Sequence, residues 1–383
     1  MSSALEQEIR ELVQAGGRIT FARFMQACLY SPHGGFYAAR HQRIGAHFGT
    51  SPTSHPVFGT LIARQLEQMW QRLGAPPVFH VIEVGAGDGA LARSIARACR
   101  NLSAGLTQAL RYVAADYEPR WTPASAHRVD SNNNLPASES DASLGIQPVK
   151  TAGLRAFRNV TGCILSNELI DNFPVHRFAI QDGKVKEIFV TIVGSGFTEV
   201  LDEPSTPRIA ERLASLDLSL AEGYRGEVNL AMEDWTRDVS RTLDRGFVLT
   251  IDYGQHAAGL YAPENNQGTM VCFHQHALRD DPYQDIGQQD ITCHVDFTTL
   301  MRLGEQHGLA TLGNIPQRDF LMNLGFSACV DGLDTQGLSA ARTALSRIAM
   351  MSLVDPEQYG DLKVLAQAKG IALDGDLLGF PHR

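Results

Sequence analysis

Long apolar runs are missing from this sequence. A bilayer-spanning helix needs about 18 or more consecutive apolar residues, so no membrane insertion is expected. Cysteine is sparse too: six residues, Cys28, Cys99, Cys163, Cys272, Cys293 and Cys329. No two form a Cys-x-x-Cys knuckle, and their wide, irregular spacing does not describe a small disulfide scaffold. Reduced, structural thiols are expected. Basic side chains are in the minority, 33 Lys and Arg against 42 Asp and Glu, for a formal net charge of −9. Gripping a phosphate backbone draws on concentrated positive charge, so no nucleic-acid partner is expected. The opening residues, MSSALEQEIRELVQAGG, have neither the basic start and apolar core of a signal peptide nor the Arg-rich, acid-poor bias of a transit peptide. Together these absences predict a cytoplasmic location.

Hydrophobic residues make up 44% and charged residues 20% of the 383, enough to close a sizeable core without disulfides or metal. The chain begins with helical periodicity. Leu5, Ile9, Leu12 and Val13 are stopped by Gly16-Gly17; Phe21, Phe24, Met25 and Cys28 follow a Thr20 cap; Phe58, Leu61, Ile62, Leu66 and Met69-Trp70 run to Leu73-Gly74. From Val78 the period changes. VFHVIEVG, ALRYVAAD, GCILSN and GFVLTIDYG read as strands, ALARSIARACR as a helix, and LKVLAQ as a last strand. Strands alternating with helices predict an α/β fold, a doubly wound Rossmann-like sheet, mostly parallel. PVHRFAIQDGKVKEIFVTIV interrupts the alternation with a hairpin turning at Asp182-Gly183. The expected division is an N-terminal helical region over 1–75, a Rossmann-like core over 76–173 and 233–375, and an inserted α+β substrate subdomain over 174–232. The polar stretch between Asp130 and Gly145 is expected to be a mobile loop.

In HVIEVGAGDGALARSIA a buried strand delivers Gly85, Ala86, Gly87 and Gly89 into a turn that opens a helix. Glycine lets the backbone approach a ligand closely and take positive φ, and the helix start offers N–H groups to it. Gly-Ala-Gly-Asp-Gly-Ala also fits the dinucleotide pattern. Glu83 discriminates: a carboxylate there repels a pyrophosphate and suits the ammonium and sulfonium of S-adenosylmethionine. Asp116 ends the second strand, 29 residues after Gly87, where a carboxylate can accept from ribose hydroxyls in either cofactor class.

The segment CILSNELIDNFPVHRF sets Asn167, Glu168 and Asp171 at the carboxyl edge of the sheet, where such sheets bind ligands. One helical turn through the two acids would put both on one face. Paired carboxylates can hold a guanidinium and aim one nitrogen, and methyl transfer to nitrogen depends on holding the nucleophile against the methyl carbon. The same acids also suit a solvated helix start. His274, His276, His294 and Asp296 lack metal-ligand spacing, so no metal is expected, and Asp296 reads as a helix cap.

ITFARFMQACLYSPHGGFY, FGTSPTSHPVFG, VIEVGAGDGALA, SNELIDNFPV, VLTIDYG, GTMVCFHQH, DITCHVDF and YGDLKVLAQ occur in that order. The set resembles the MidA-like family of class I methyltransferases, which includes a mitochondrial complex I assembly factor that methylates a protein arginine. The resemblance runs from Ile19 to Lys369. It implies an S-adenosylmethionine-dependent enzyme acting on nitrogen, with a protein arginine as first choice of acceptor. It implies a cofactor site from Gly85, Gly87, Asp116 and Asn167, a loop Thr50, Ser51, Pro52 folding over it, and a substrate-facing Glu168 and Asp171. Two departures stand out. Ala46-His47-Phe48 replaces a common Gly-Asp-Phe, and Asp116 replaces a longer Glu. A small-molecule amine or hydroxyl acceptor is a competing reading, as is a non-catalytic assembly factor that binds the cofactor. The intact Glu83, glycines and Asp116 argue against a decayed site.

Overall fold

The computed structural model describes residues 3–38, 49–116, 144–151, 153–274, 277–335, 337–372 and 375–381. Ala46, His47, Phe48, His276 and nearly all of the polar stretch before Gly145 lie outside them. The chain divides into two compact units. One comprises Met1–Phe48, Leu169–Thr236 and Tyr253–Leu303; the other comprises Gly49–Glu168, Arg237–Asp252 and Gly304–Arg383. They are called here the hairpin unit and the sheet unit.

The sheet unit is built on seven strands: β1 (Phe79–Val84), β2 (Leu110–Asp116), β3 (Ile146–Lys150), β4 (Val160–Asn167), β5 (Leu243–Asp252), β6 (Ala310–Pro316) and β7 (Lys363–Lys369). Their order is β6-β7-β5-β4-β1-β2-β3. Strands β1 to β5 pair in parallel, while β7 runs antiparallel to both β5 and β6. Val81, Ile82, Ile164, Leu165, Leu249, Ile251, Val364 and Leu365 are fully buried, as expected for central strands covered on both faces. The apolar runs of β1, β2, β4, β5 and β7 are the ones visible in the sequence. Edge strands β3 and β6 are mostly half-exposed, so they carry neither a continuous apolar run nor a clean alternation.

The hairpin unit carries a five-stranded antiparallel sheet. His176–Gln181 pairs with Lys184–Val193 and Arg225–Val228, and Lys184–Val193 also pairs with Gly196–Asp202 and Ile19–Thr20. The hairpin turns where the sequence predicts, with Asp182 and Gly183 both at positive φ, 53° and 66°. Helices Ala4–Gly16 and Phe21–Tyr30 are capped by the hydroxyls of Ser3 and Thr20, and Gly17 ends the first at φ 75°. Their apolar faces close a core of Leu5, Ile9, Val13, Phe21, Phe24 and Val190. Helix Val57–Arg72 falls in the sheet unit, so the contact-based boundary runs through the 1–75 region that the periodicity grouped together.

His80, Gly162 and Gly246 sit side by side on β1, β4 and β5. Gly246 has φ 145°, and a Cβ there would lie 2.0 Å from the Gly162 carbonyl oxygen. Backbone has no room to yield inside a sheet. Gly246→Ala should therefore cost about 3 kcal/mol of stability, read as a lower urea midpoint at unchanged slope. An unchanged midpoint would show that the strands can part there.

Candidate active site

Strand order reverses between β1 and β4, so the connections leaving them diverge and open a crevice at their carboxyl ends. Gly85, Asp116, Asn167 and Glu168 all stand at this edge of the sheet unit. The glycine loop is strapped to β2: Gly85 and Ala86 N–H donate to Ala115 O at 2.9 and 3.3 Å, and Gly87 N–H donates to Asp116 Oδ2 at 2.8 Å. Gly85, Gly87 and Gly89 take φ 77°, 54° and 77°. Where a Gly87 Cβ would project, nothing lies within 4 Å. Helix Ala90–Arg100 starts directly behind the loop.

Glu83 points to a different part of the unit's chemistry. It is 3% exposed, and its Oε2 accepts from the Tyr112 hydroxyl at 2.7 Å. Burial pushes its carboxyl up to about 8, against the pull of Tyr112. The residue is therefore mostly protonated at neutral pH in the ligand-free chain, and its preference for a cation operates only if the cation draws off that proton. The sequence reading missed Tyr112. Register pairs Glu83 with Ala114 and Val81 with Tyr112, so the period-two rule already puts Tyr112 and Glu83 on one face.

At the end of β4 the backbone does something unusual. Glu168 has φ 51°, a left-handed conformation that a side chain with a Cβ seldom adopts. Its N–H donates to Ile251 O at 2.8 Å, and its Oε1 accepts from Asn167 Nδ2 at 2.9 Å and from Ser51 N–H at 3.4 Å. Two bonds thus reach the carboxylate and a third ties its backbone at the switch point. Thr50, Ser51 and Pro52 form the start of a short capped turn, Ser51–Ser54. Ser51 Oγ donates to Gln317 Oε1 at 3.2 Å, and Gln317 Nε2 donates to Leu353 O at 2.9 Å, all buried. Gln317 was not visible as a site residue in the sequence, because nothing local marks it.

The expected helical turn through both acids is not formed. Only Ile170–Asn172 makes a tight turn, and the left-handed Glu168 precedes it. Asp171 belongs to the hairpin unit. It is 4% exposed there, and its carbonyl accepts the Cys293 N–H at 2.9 Å. Next to it, Asn172 Nδ2 donates to Asp290 Oδ1 at 3.0 Å, and Tyr37 Oη lies 2.9 Å from Asp290 Oδ2. Burial raises the Asp290 carboxyl to about 7. In the same unit Asp296 caps its helix as expected, accepting from Thr299 N–H at 3.1 Å. Among the described residues, no group of three His, Cys, Asp or Glu is arranged to hold a metal.

Two buried polar atoms at the carboxyl end of β4, Ser166 Oγ and Asn167 Oδ1, have no hydrogen-bond partner among the described residues. Leaving such atoms unmade costs about 1–3 kcal/mol each, so the crevice suits a polar ligand. The family model described as "Putative S-adenosyl-L-methionine-dependent methyltransferase" matches residues 61–315. The chain belongs to this methyltransferase family. Its methyl donor is accordingly S-adenosylmethionine, and the open space at Gly87, the Asp116 carboxylate and the orphaned Asn167 oxygen fit a ligand carrying hydroxyl and ammonium groups.

Relatives of this methyltransferase include the protein arginine methyltransferase NDUFAF7 homolog of Drosophila melanogaster, 26% identical over 388 residues, 96% of this chain and 85% of that one. The human NDUFAF7 protein is 26% identical over 91% of this chain and 79% of its own. A solved structure from Burkholderia thailandensis, bound to S-adenosyl-homocysteine, superposes with a TM-score of 0.82 at 28% identity, covering 98% of this chain and 94% of that one. These relatives correct one expectation. The NDUFAF7 proteins are named as mitochondrial, so the cytoplasmic location does not stand. Among the described residues no helix is long and apolar enough to cross a membrane, which does not fix a compartment.

Glu83 and Asp290 are both held above the ordinary carboxylate range, at about 8 and about 7. The folded chain then binds more protons than the unfolded one between about pH 4 and 8. The stability they contribute is complete below that window and lost as pH rises through 7 to 8. Thermal unfolding should therefore fall in midpoint from pH 5 to 9, and Glu83→Gln should remove part of the slope. An identical slope in the variant would mean that Glu83 ionises normally.

Proposed function

We propose that this methyltransferase modifies the guanidinium of an arginine in a protein partner. The names of its relatives support the acceptor class. The observation that carries the reading is Glu168 at the switch point: its left-handed backbone is tied by its N–H to Ile251 O, and its carboxylate accepts from Asn167 and Ser51. Strain of this kind persists only where the surroundings over-determine it, and it gathers at functional sites. A guanidinium presents N–H groups in a planar fork that a fixed carboxylate can accept from.

Bound S-adenosylmethionine supplies an electrophilic methyl group on a positively charged sulfur. Gly85, Ala86 and Gly87 would line the cofactor's approach, Asp116 would accept from its ribose, Asn167 would take a donor on its buried oxygen, and Thr50, Ser51 and Pro52 would cover it. Glu83 would serve the cation once its proton has passed to solvent water. Glu168 accepts from the guanidinium, holds it in line and draws positive charge toward the nitrogens it binds. That leaves the reacting nitrogen more nucleophilic. Transfer would join the nitrogen to the methyl carbon as the sulfur releases it, leaving S-adenosyl-homocysteine, and the proton displaced from the nitrogen would pass to solvent water. Asp171 is assigned to the acceptor on the sequence pattern alone.

Incubation with methyl-labelled S-adenosylmethionine and a lysate of the protein's own cell should label a protein band, and digestion should place the label on arginine. Glu168→Gln should lower labelling by about 100-fold or more, the scale of one lost transition-state interaction, with cofactor affinity within a few-fold. Asp116→Asn should show the opposite pattern, and Asp171→Asn is scored separately. Label on a small molecule, or Glu168→Gln losing the cofactor as well, would overturn the assignment.

A further inference from the structure

Tyr359 opens the YGDLKVLAQ segment, which the function so far leaves unused. It lies just before β7 in the sheet unit and is half-buried. Its hydroxyl reaches back to the chain ahead of the Ser51–Ser54 turn: a Cβ added at Gly49 would lie 2.7 Å from Tyr359 Oη. Burial raises the phenol above the ordinary tyrosine value and the Glu168 charge adds to the rise, while the Ser54 side chain pulls it down. Ser54 Oγ itself donates to Thr50 O at 3.1 Å. A phenol oxygen can accept as well as donate.

Glu168 and Tyr359 thus meet one short segment, the carboxylate through Ser51 N–H and the phenol oxygen beside Gly49. Gln317 braces both. Its side chain accepts from Ser51 Oγ, and its N–H donates at 2.7 Å to Leu362 O, three residues beyond Tyr359. Leu362 N–H in turn donates to Tyr359 O at 3.2 Å. A buried glutamine that ties two surface groups together holds their spacing constant.

We infer that Tyr359 is a second acceptor-binding residue, its phenol oxygen accepting an N–H of the guanidinium whose charge Glu168 offsets. This rests on the guanidinium reading of Glu168. A carboxylate and a phenol set on one rigid support take a planar cation with several donors, since each offers an acceptor and only one of them needs to carry charge. The aromatic ring adds a face that favours cations.

The geometry supplies its own test, because among the described residues a Cβ at Gly49 meets the tyrosine oxygen alone. Affinity for methylguanidine in the presence of S-adenosyl-homocysteine would be measured by calorimetry for the unmodified chain, Glu168→Gln, Tyr359→Phe, Gly49→Ala and the Gly49→Ala/Tyr359→Phe double variant. Glu168→Gln should abolish binding. Tyr359→Phe and Gly49→Ala should each weaken it roughly tenfold, the scale of one hydrogen bond to a charged group. The double variant should bind no worse than Tyr359→Phe, since the added methyl then meets no oxygen. S-adenosyl-homocysteine affinity and melting temperature should hold throughout. Tyr359→Phe binding normally while Glu168→Gln does not would overturn the role of Tyr359 alone. So would Gly49→Ala costing as much with phenylalanine present, or a lower melting temperature with unchanged methylguanidine affinity. Glu168→Gln binding normally would instead remove the guanidinium reading, and this inference with it.

Discussion

The reversal of strand order between β1 and β4 is the constraint on which the site depends. Parallel strands cannot be joined by a hairpin, so each connection must leave over one face of the sheet and return. At the reversal two successive connections go to opposite faces, and the carboxyl ends between them stay uncovered. Every residue held at this edge of the sheet unit inherits its position from that fact. Asp116 straps the glycine loop from β2, and the Ile251 carbonyl of β5 takes the Glu168 N–H. The strands on either side of β1 and β4 therefore brace the two loops that face the crevice.

The bonding at this edge separates two kinds of acid. Asp116 is half-exposed and accepts from a backbone N–H, an arrangement that favours a charged carboxylate. Glu83 is buried against Tyr112 and is held up to about 8. One carboxylate is tied to the backbone N–H of the glycine loop; the other is pushed by burial toward its neutral form. Environment, not residue type, divides the two roles.

Much of this was legible in the sequence, for a physical reason. Buried parallel strands must be apolar throughout, so β1, β2, β4 and β5 announce themselves, and helices Ala4–Gly16 and Phe21–Tyr30 show their caps as well as their periodicity. Asp182-Gly183 predicts its own turn because few residue pairs tolerate two positive φ values in succession. What failed was the step from spacing to geometry. Glu168 and Asp171 are three apart, but helical spacing predicts a shared face only inside a helix, and Glu168 is left-handed. Gln317 and Tyr359 were illegible for a different reason: their importance comes from partners more than 190 residues away in sequence, at Ser51 and Glu168.

The left-handed Glu168 links these observations. A helical continuation of β4 would have carried its side chain along a helix surface and left its N–H to the helix ladder. The reversed φ hands that N–H to β5 instead and turns the carboxylate toward Ser51 and Asn167. Asn167 and Ser51 both donate to it, and on the guanidinium reading the acceptor's N–H groups would add to these donors. The carboxylate thus arrives pre-oriented, with its ordering cost met during folding and not at binding. A strained backbone here is the consequence of aiming an acid from a strand end, where the next residues must also begin a different unit of the chain.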